Sequence, residues 1–264
     1  MEEPLRVGSF DEDVFDRSRR IGWLDLDSIA DADVMVVGAG ALGNEVCKDL
    51  ALSGFRKITV VDMDHVVGSN LNRCLFFSAE DAGRGAKKAE VVAQGISRIS
   101  RSATPLARVC RIEEVPASVF EQQDVIMGCL DNIRARIHTN SHSYAAGKPY
   151  VDGAMEGFIG KAFVSLPPEG ACLQCGMNRT HAKVAEKRFS CTGKDVVFHE
   201  PRLAAEITTT SIVSAVMVRE VLKIVSGRRD MCLSNGFFYD GQRNVAEEFE
   251  IPRDPSCSVH VWPG

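Results

Sequence analysis

The sequence predicts an α/β fold: a Rossmann-like, mostly parallel sheet with an antiparallel far edge. Two observations support this fold class. Short apolar runs typical of buried strands alternate with helix-like segments along the 264 residues, which favours parallel strands joined by helices. Two further strands, 234–240 and 244–251, are predicted around Asp240-Gly241 and would form a closing antiparallel hairpin.

The first strand–helix–strand unit carries a glycine-rich turn. Residues 34–37 (Val-Met-Val-Val) are apolar, residues 38–43 (Gly-Ala-Gly-Ala-Leu-Gly) follow the pattern GxGxxG, and a helix-like run extends to Leu52. A second apolar run, 58–61, ends in Asp62. Glycines let a backbone approach phosphates, a helix N-terminus offers N–H donors, and an acidic strand end can hold ribose hydroxyls. These features predict a nucleotide site, and taken alone they fit an NAD-binding oxidoreductase equally well.

The remaining elements follow from the spacing of apolar residues and from helix-breaking residues. The pattern predicts helices at 10–21, 87–99, 131–146 and 204–226, and strands at 104–112, 124–127, 150–155 and 158–166. Residues 63–85 are predicted to be irregular, and residues 176–200 are predicted to form a polar loop.

The composition limits the class of protein. Hydrophobic residues make up 45% of the chain and the net charge is −5 with both signs interspersed, so we expect a full core and no nucleic-acid partner. The acidic N-terminus does not resemble a signal peptide, and no apolar run is long enough to cross a membrane. Nine cysteines argue against a disulfide framework and for a reducing, cytoplasmic compartment. We expect a flexible tail at 1–10 and a single domain at 11–264.

Polar residues beyond the strand ends favour ATP chemistry over hydride transfer. Asn70 and Arg73 lie in a polar turn after the second strand, Lys88 begins the next helix, and Asp131 follows the strand at 124–127. Ligands bind at the carboxyl ends of strands in open α/β sheets. Cations there can stabilise charge on a leaving pyrophosphate, and a lone carboxylate can hold magnesium. Individually, Arg73 and Lys88 could instead be surface ion pairs, and Asp131 a helix N-cap.

Two half-sites predict structural zinc. Cys172 and Cys175 form a CxxC, and Cys257 and His260 form a CxxH far downstream. Each spacing suits two ligands of a tetrahedral zinc ion, although a lone CxxC could be redox-active. Together they predict a three-cysteine, one-histidine site that holds the C-terminal segment to the domain. The alternative is a vestigial site in which His260 is exposed to solvent.

Cys191 differs from the other cysteines. It lies in the polar, basic stretch 187–194 (Lys-Arg-Phe-Ser-Cys-Thr-Gly-Lys), within the predicted loop. Nearby cations favour a thiolate, so Cys191 is a candidate nucleophile, and an incidental loop cysteine is the alternative. The cysteines that fall in helix or strand patterns are expected to be buried: Cys47, Cys74, Cys110, Cys129 and Cys232.

These motifs resemble those of the ubiquitin-activating enzymes and of the ThiF/MoeB-type adenylyltransferases that serve molybdopterin and thiamine sulfur carriers. The resemblance covers the chain from about Phe15 to His260 and is strongest to catalytic subunits that activate ubiquitin-like proteins. It rests on residues 38–43, 62–64 (Asp-Met-Asp), 69–73 (Ser-Asn-Leu-Asn-Arg), 88–91 (Lys-Ala-Glu-Val), 130–131 (Leu-Asp), 152–157 (Asp-Gly-Ala-Met-Glu-Gly) and the two zinc half-sites.

The resemblance implies an ATP-dependent activating enzyme. With ATP and magnesium it would adenylate the C-terminal glycine of a ubiquitin-like, β-grasp protein, release pyrophosphate, and pass the acyl group to Cys191 as a thioester. It implies nucleotide contacts from Gly38, Gly40, Ala41, Gly43, Asp62, Asp64, Asn70, Asn72, Arg73, Lys88, Asp131 and Asn132.

The resemblance also assigns individual roles. Asp62 would hold the ribose, Arg73 and Lys88 the phosphates, and Asp131 the magnesium ion. Arg19 matches an N-terminal arginine that reaches the partner subunit's ATP in family dimers, so we expect a homodimer. A conjugating enzyme is a candidate further partner, which would dock differently than it does on the eukaryotic enzymes or not be used.

Three positions depart from the family pattern. Ala41 occupies a position where the family usually has glycine, and Cys74 one where glutamine is common. His260 replaces a usual cysteine, and imidazole is also a good zinc ligand. The lysine and arginine registers are each ambiguous by one residue, with Lys87 and Arg20 as the alternatives.

Three other interpretations stay open. A sulfur-carrier adenylyltransferase, for molybdopterin, thiamine or transfer-RNA thiolation, would pass the adenylate to a sulfur donor and leave Cys191 spare or persulfidated. A non-catalytic scaffold would only bind a catalytic partner subunit, and an oxidoreductase would bind NAD. The charged residues at the strand ends argue against the scaffold.

Overall fold

A computed structural model describes residues 14–177 and 204–260 of the protein. The strands are β1 (Asp33–Val37), β2 (Lys57–Val61), β3 (Leu106–Arg108), β4 (Val125–Gly128), β5 (Tyr150–Glu156), β6 (Ile159–Ser165), β7 (Gly236–Asp240) and β8 (Val245–Phe249). The α-helices are α1 (Asp16–Arg19), α2 (Leu26–Asp31), α3 (Ala41–Ser53), α4 (Ala79–Gly83), α5 (Lys88–Ile99), α6 (Ala117–Glu121), α7 (Ile133–Ala145) and α8 (Ile207–Val225). Single 3-10 turns lie at Gly68–Asn70, Ile112–Glu114, Leu173–Gly176 and Arg229–Met231.

The strands form one sheet in the order β3-β2-β1-β4-β5-β6-β7-β8. Strands β1 to β5 pair in parallel, and β6, β7 and β8 pair antiparallel at the far edge. The predicted fold class is therefore confirmed. The strand order reverses between β1 and β4, which brings the carboxyl ends of β2, β1 and β4 side by side. Such a switch point is where open α/β sheets bind ligands.

Two cores cover the two faces of the sheet, because successive strand residues point in opposite directions. Val34 and Val36 of β1 pack on the face covered by α3, α5 and α8. Met35 and Val37 pack on the opposite face, which α6 and α7 cover. Helices α3 and α7 therefore begin at the same edge of the sheet but on opposite faces.

Most predicted elements are confirmed, with ends that shift by a few residues. The predicted strand 104–112 is wrong beyond Arg108, because the Arg111 N–H donates to Glu114 Oε2 (3.0 Å) and the chain turns into Ile112–Glu114. The region 63–85 is not wholly irregular, since it contains a 3-10 turn and α4. The short helices α2 and α6 are too brief to show a clear apolar period. Of the predicted helix 10–21, the structure shows α1, and residues 10–13 lie outside the described part.

The cysteines expected in the core are mostly there. Cys47, Cys74 and Cys129 are buried, whereas Cys110 and Cys232 are only half-buried. Cys110 follows the edge strand β3, and Cys232 ends a surface 3-10 turn, so neither position is enclosed on all sides. Within residues 14–177 and 204–260, every helix is too short or too polar to cross a membrane.

Candidate functional site

The carboxyl ends of the parallel strands open onto a cavity of about 500 Å³. Ten of the twelve predicted nucleotide contacts line it: Gly38, Gly40, Ala41, Asp62, Asp64, Asn70, Arg73, Lys88, Asp131 and Asn132. In the described structure, the two that do not line the cavity support residues that do. Gly43 packs beneath the glycine-rich turn, and Asn72 holds Arg73.

The three glycines of the turn have different environments. Gly38 has φ +99° and lies so close to β4 that a Cβ there would meet Cys129 O at 2.5 Å. A Cβ on Gly43 would lie 1.9 Å from Gly38 O. A Cβ on Gly40 would have no described atom within 4 Å, and Gly40 lines the cavity. Gly38 and Gly43 are therefore required by packing, and Gly40 keeps the cavity wall open.

Helix α3 presents its N-terminus to this cavity. Its N-cap is Gly40, so in the described structure no side chain caps the first turn, and Ala41 and Leu42 line the cavity. The first N–H groups of a helix lack partners within the helix and carry a partial positive charge. By contrast, Asn132 caps α7 and Glu206 caps α8. The N-terminus of α3 is thus available to an anion.

Asp62 is oriented by the backbone. Its Oδ2 accepts the Ala39 N–H at 2.7 Å and its Oδ1 accepts the Asp64 N–H at 2.8 Å. Burial raises the pKa of Asp62, and the Ala39 hydrogen bond and the Lys88 charge oppose that rise. Each carboxylate oxygen can accept a second hydrogen bond. The side chain can therefore receive donors from a ligand without losing its own support.

Two of the four cationic residues that line the cavity, Arg73 and Lys88, were predicted from the sequence; the other two are Arg111 and Arg136. Arg73 Nη1 donates to Ser69 O and to Asn72 Oδ1, the latter at 2.9 Å. Lys88 Nζ lies 3.0 Å from Asp64 Oδ2, which is the predicted ion-pair alternative for this lysine. Of the two candidate lysines, Lys88 lines the cavity in the described structure and Lys87 does not.

Asp131 and Asn132 follow β4 at the centre of the cavity. Asn132 Oδ1 accepts the Arg134 N–H at 2.9 Å and the Ala135 N–H at 3.2 Å, so Asn132 is the N-cap of α7. The alternative that Asp131 caps the helix is therefore wrong. Asp131 is exposed and lines the cavity.

An ion pair at the β5 end of the cavity was not predicted from the sequence. Arg136 of α7 lines the cavity and pairs with Asp152 of β5, which also accepts the Tyr150 hydroxyl at 2.6 Å. Its position in the sequence could have indicated Arg136, because it lies little more than one helical turn beyond the predicted site residue Asp131. Its partner Asp152 opened a family motif but was not recognised as a site residue.

Two candidate residues lie elsewhere. Arg19 is in α1 and is not among the described residues that line the cavity of its own chain. Cys191 and most of the predicted loop 176–200 fall outside the described residues.

The two half-sites come together as one cluster. The ligand atoms of Cys172, Cys175, Cys257 and His260 all lie within 4.8 Å of one another. The Cys172 sulfur lies 3.8 Å from the Cys175 sulfur and 3.6 Å from the Cys257 sulfur. Zinc–sulfur bonds of about 2.3 Å in a tetrahedron give edges of about 3.8 Å. This donor set therefore fits a zinc ion.

The surroundings of the cluster support a metal role. Burial raises the pKa of Cys172 to about 12, so a thiolate there requires a nearby cation. The Asp254 N–H donates to Cys175 Sγ at 3.5 Å, as in zinc sites whose sulfurs accept backbone hydrogen bonds. His260 is half-buried, and its ring stacks on the Tyr144 ring with 4.7 Å between the ring centroids. The alternative of a solvent-exposed His260 is therefore wrong.

The fold and the cavity define a Rossmann-like α/β domain whose polar site lies at the carboxyl ends of its strands. The chain belongs to the ThiF family, whose profile matches residues 15–259. This confirms the resemblance inferred from the motifs.

The chain is similar to two curated activating-enzyme subunits. It is 35% identical to the NEDD8-activating enzyme E1 catalytic subunit of Caenorhabditis elegans over 207 residues, which cover 71% of this chain and 46% of that protein. It is 30% identical to SUMO-activating enzyme subunit 2 of Dictyostelium discoideum over 157 residues, 59% of this chain and 23% of that protein. The chain thus spans less than half the length of these relatives.

A solved structure shows the same fold. The crystal structure of E. coli MccB with ATP matches with a TM-score of 0.70 and 20% identity, covering 89% of this chain and 68% of that chain. At this level of identity the likeness concerns the fold.

Proposed function

We propose that this chain is the adenylating domain of an enzyme that activates a ubiquitin-like protein. The observation that carries the proposal is the single cavity that joins the uncapped N-terminus of α3, Asp62, two cations and Asp131. The two relatives described above are named as subunits of activating enzymes, and MccB, which has the same fold, has been crystallised with ATP.

The nucleotide would lie along the strand ends. Asp62 at the end of β2 would accept the ribose hydroxyls, and the α3 N-terminus would receive the phosphates. Arg73 and Lys88 would then offset the negative charge that grows on the departing pyrophosphate. To bind a phosphate, Lys88 must break its ion pair with Asp64. This costs little free energy because the Asp64 side chain is 54% exposed and water can solvate it.

The reaction would begin at a C-terminal glycine. One carboxylate oxygen attacks the α-phosphorus of ATP, the bond from that phosphorus to the bridging oxygen breaks, and pyrophosphate leaves with the electron pair. The product is an acyl-adenylate. Asp131 would hold magnesium against the phosphates, and the ion would supply charge neutralisation there.

Later steps involve residues beyond the cavity. We propose that Cys191 attacks the acyl-adenylate carbon, releases AMP and keeps the acyl group as a thioester. Arg19 would complete the site of a partner copy in a homodimer, and a conjugating enzyme would then receive the acyl group.

The Cys/His cluster would have a structural role. Cys172, Cys175, Cys257 and His260 would hold zinc and tie the C-terminal segment to the turn Leu173–Gly176. Zinc in such a site adds cohesion to the fold and performs no step of the reaction.

The test combines ATP–pyrophosphate exchange with intact-mass analysis. NEDD8, SUMO and a bacterial sulfur carrier serve as probes, each with a control lacking its terminal glycine. We expect exchange with at least one intact probe, and a loss of about 100-fold in Asp131→Asn. A thiol-sensitive adduct that disappears in Cys191→Ala would support thioester transfer. Adenylate without that adduct would favour a sulfur-carrier adenylyltransferase, and failure to bind ATP would favour a scaffold.

A further inference from the structure

The β5 end of the cavity is built around an almost fully buried carboxylate. The Asp152 side chain is 1% exposed and forms a fork with the Arg136 guanidinium. Arg136 Nε lies 3.2 Å from Oδ1 and 3.1 Å from Oδ2, and Nη2 also donates to Oδ2. Tyr150 donates its hydroxyl to Oδ1 at 2.6 Å. Three donor groups therefore make four hydrogen bonds to Asp152, two to each carboxylate oxygen, so this carboxylate is occupied by the protein itself.

Arg136 is not saturated in the same way. A guanidinium carries five N–H donors, and the Asp152 fork uses only its Nε and Nη2 atoms. Among the described residues Nη1 has no hydrogen-bond partner, and the 18% exposed side chain lines the cavity. One edge of the guanidinium is thus held by the protein, and the other is available to a ligand.

The sheet order indicates which ligand lies at that end. Under the proposed function, Asp62 would mark the nucleoside end at β2 and the N-terminus of α3 would mark the phosphates beside β1. Beyond Asp131 at β4, the cavity continues to Gly153 of β5 and to Arg136. Adenylation is a displacement at the α-phosphorus, so the carboxylate must approach from the side opposite the departing pyrophosphate. Lys88, which would hold the pyrophosphate, pairs with Asp64 on the β2 side of the cavity, so the β5 end is the side left for the acyl substrate.

Resting on the function proposed above, we propose that Arg136 receives the substrate's terminal carboxylate on its Nη1 edge and orients it for attack. A planar guanidinium matches a carboxylate in geometry, which an ammonium does not. Asp152 neutralises the Arg136 cation. The substrate carboxylate is therefore oriented by hydrogen bonds. An unpaired arginine would attract its negative charge more strongly and so make that carboxylate a weaker nucleophile. Asp152 is the positioning residue that fixes the guanidinium.

The experiment measures carboxylate recognition without catalysis. A synthetic peptide ending in Gly-Gly is titrated calorimetrically into the full chain with a non-hydrolysable ATP analogue present, once as the free acid and once as the terminal amide. We expect wild type to prefer the acid about tenfold or more, since hydrogen bonds to a charged group are at stake. Arg136→Lys keeps a cation beside Asp152 but lacks the second, Nη1 edge of the guanidinium, so the preference for the acid over the amide should vanish. Tyr150→Phe should keep it.

The nucleotide affinity provides the control. It should stay within about twofold of wild type in Arg136→Lys, whose melting temperature shows that the variant is folded. The proposal would be overturned by equal binding of acid and amide to wild type, by an unchanged preference in folded Arg136→Lys, or by a matching loss of nucleotide affinity. Failure of wild type to bind the ATP analogue would instead overturn the proposed function, and this inference with it.

Discussion

Alanine at Gly43 and alanine at Gly40 should have opposite consequences, although both glycines belong to the same turn. A Cβ on Gly43 would lie 1.9 Å from Gly38 O, a backbone atom that cannot rotate away. Either α3 or the turn must move by more than an ångström to restore normal contact. Overpacking of this kind costs about 1–3 kcal/mol. For a domain of this size, that corresponds to a melting temperature roughly 2–12 °C lower.

Gly40→Ala tests the cavity instead of the packing. Gly40 has φ −74°, which alanine also adopts, and the added methyl group would have no described atom within 4 Å. The free energy of unfolding should stay the same or rise by up to about 1 kcal/mol, because alanine restricts the unfolded chain. The methyl group would, however, occupy the space where phosphates must approach the α3 N-terminus. We therefore expect ATP to bind at least about tenfold more weakly, as when one charge-assisted hydrogen bond is lost.

Differential scanning fluorimetry and calorimetric titration with ATP separate the two effects. Gly43→Ala should melt at lower temperature, and Gly40→Ala should melt as wild type does yet bind ATP weakly. Normal ATP affinity in Gly40→Ala would show that phosphates do not approach the helix N-terminus, and this would refute the placement of the nucleotide. A wild-type melting temperature in Gly43→Ala would refute the packing argument.

Three further predictions concern the cluster, the buried ion pair and pH. Purified protein should contain one zinc per chain by elemental analysis; Cys257→Ser should lose it and melt earlier, whereas Cys232→Ser, away from the cluster, should keep it. Asp152→Ala should lower the free energy of unfolding in urea by about 3–5 kcal/mol, because the largely enclosed Arg136 guanidinium would lose its partner, whereas Asp16→Ala removes only surface contacts with Arg17 and Arg20, worth about 0–1 kcal/mol. Burial acts to raise the pKa of Glu206, but hydrogen bonds from the first turn of α8 lower it to about 2. Because the folded pKa is the lower one, the melting-temperature difference between wild type and Glu206→Ala should be full above about pH 5 and shrink as the pH falls towards 2; a constant difference would contradict this.

The parallel half of the fold could be predicted because its signals are local. β1, the glycine-rich turn, α3 and β2 follow one another without a long gap, and each has a distinct apolar run or breaker. The strand at 104–112 could not be limited to β3 in the same way. Only three of its residues find partners on β2, and the end is set by a side chain, Glu114, that captures the Arg111 N–H. A strand end that is set by one side-chain hydrogen bond does not change the spacing of apolar residues, so the sequence pattern does not show it.

The candidate site was predictable to the extent that it follows the strand ends. Asp62 and Asp131 come soon after strands and Lys88 opens a helix, so topology places these three on one cavity, whereas Arg73 was predicted from the polar turn that it shares with Asn70. Their partners were not predictable in this way. Whether Asp131 or Asn132 caps α7 depends on a hydrogen-bond geometry that the two side chains could equally provide, and the structure assigns it to Asn132.

The Arg136 network shows most clearly what local patterns cannot reveal. Its members belong to α7 and β5, and they meet because β4 and β5 pair in the register that sets Gly128 opposite Asp152. A Cβ on Gly128 would lie 2.1 Å from the Tyr150 hydroxyl and 2.4 Å from Asp152 Oδ1, so the network occupies the space that this glycine leaves. In the sequence, Gly128 only marks the end of a strand. In the fold, its missing side chain makes room for a buried carboxylate, and that carboxylate in turn holds a guanidinium at the wall of the cavity.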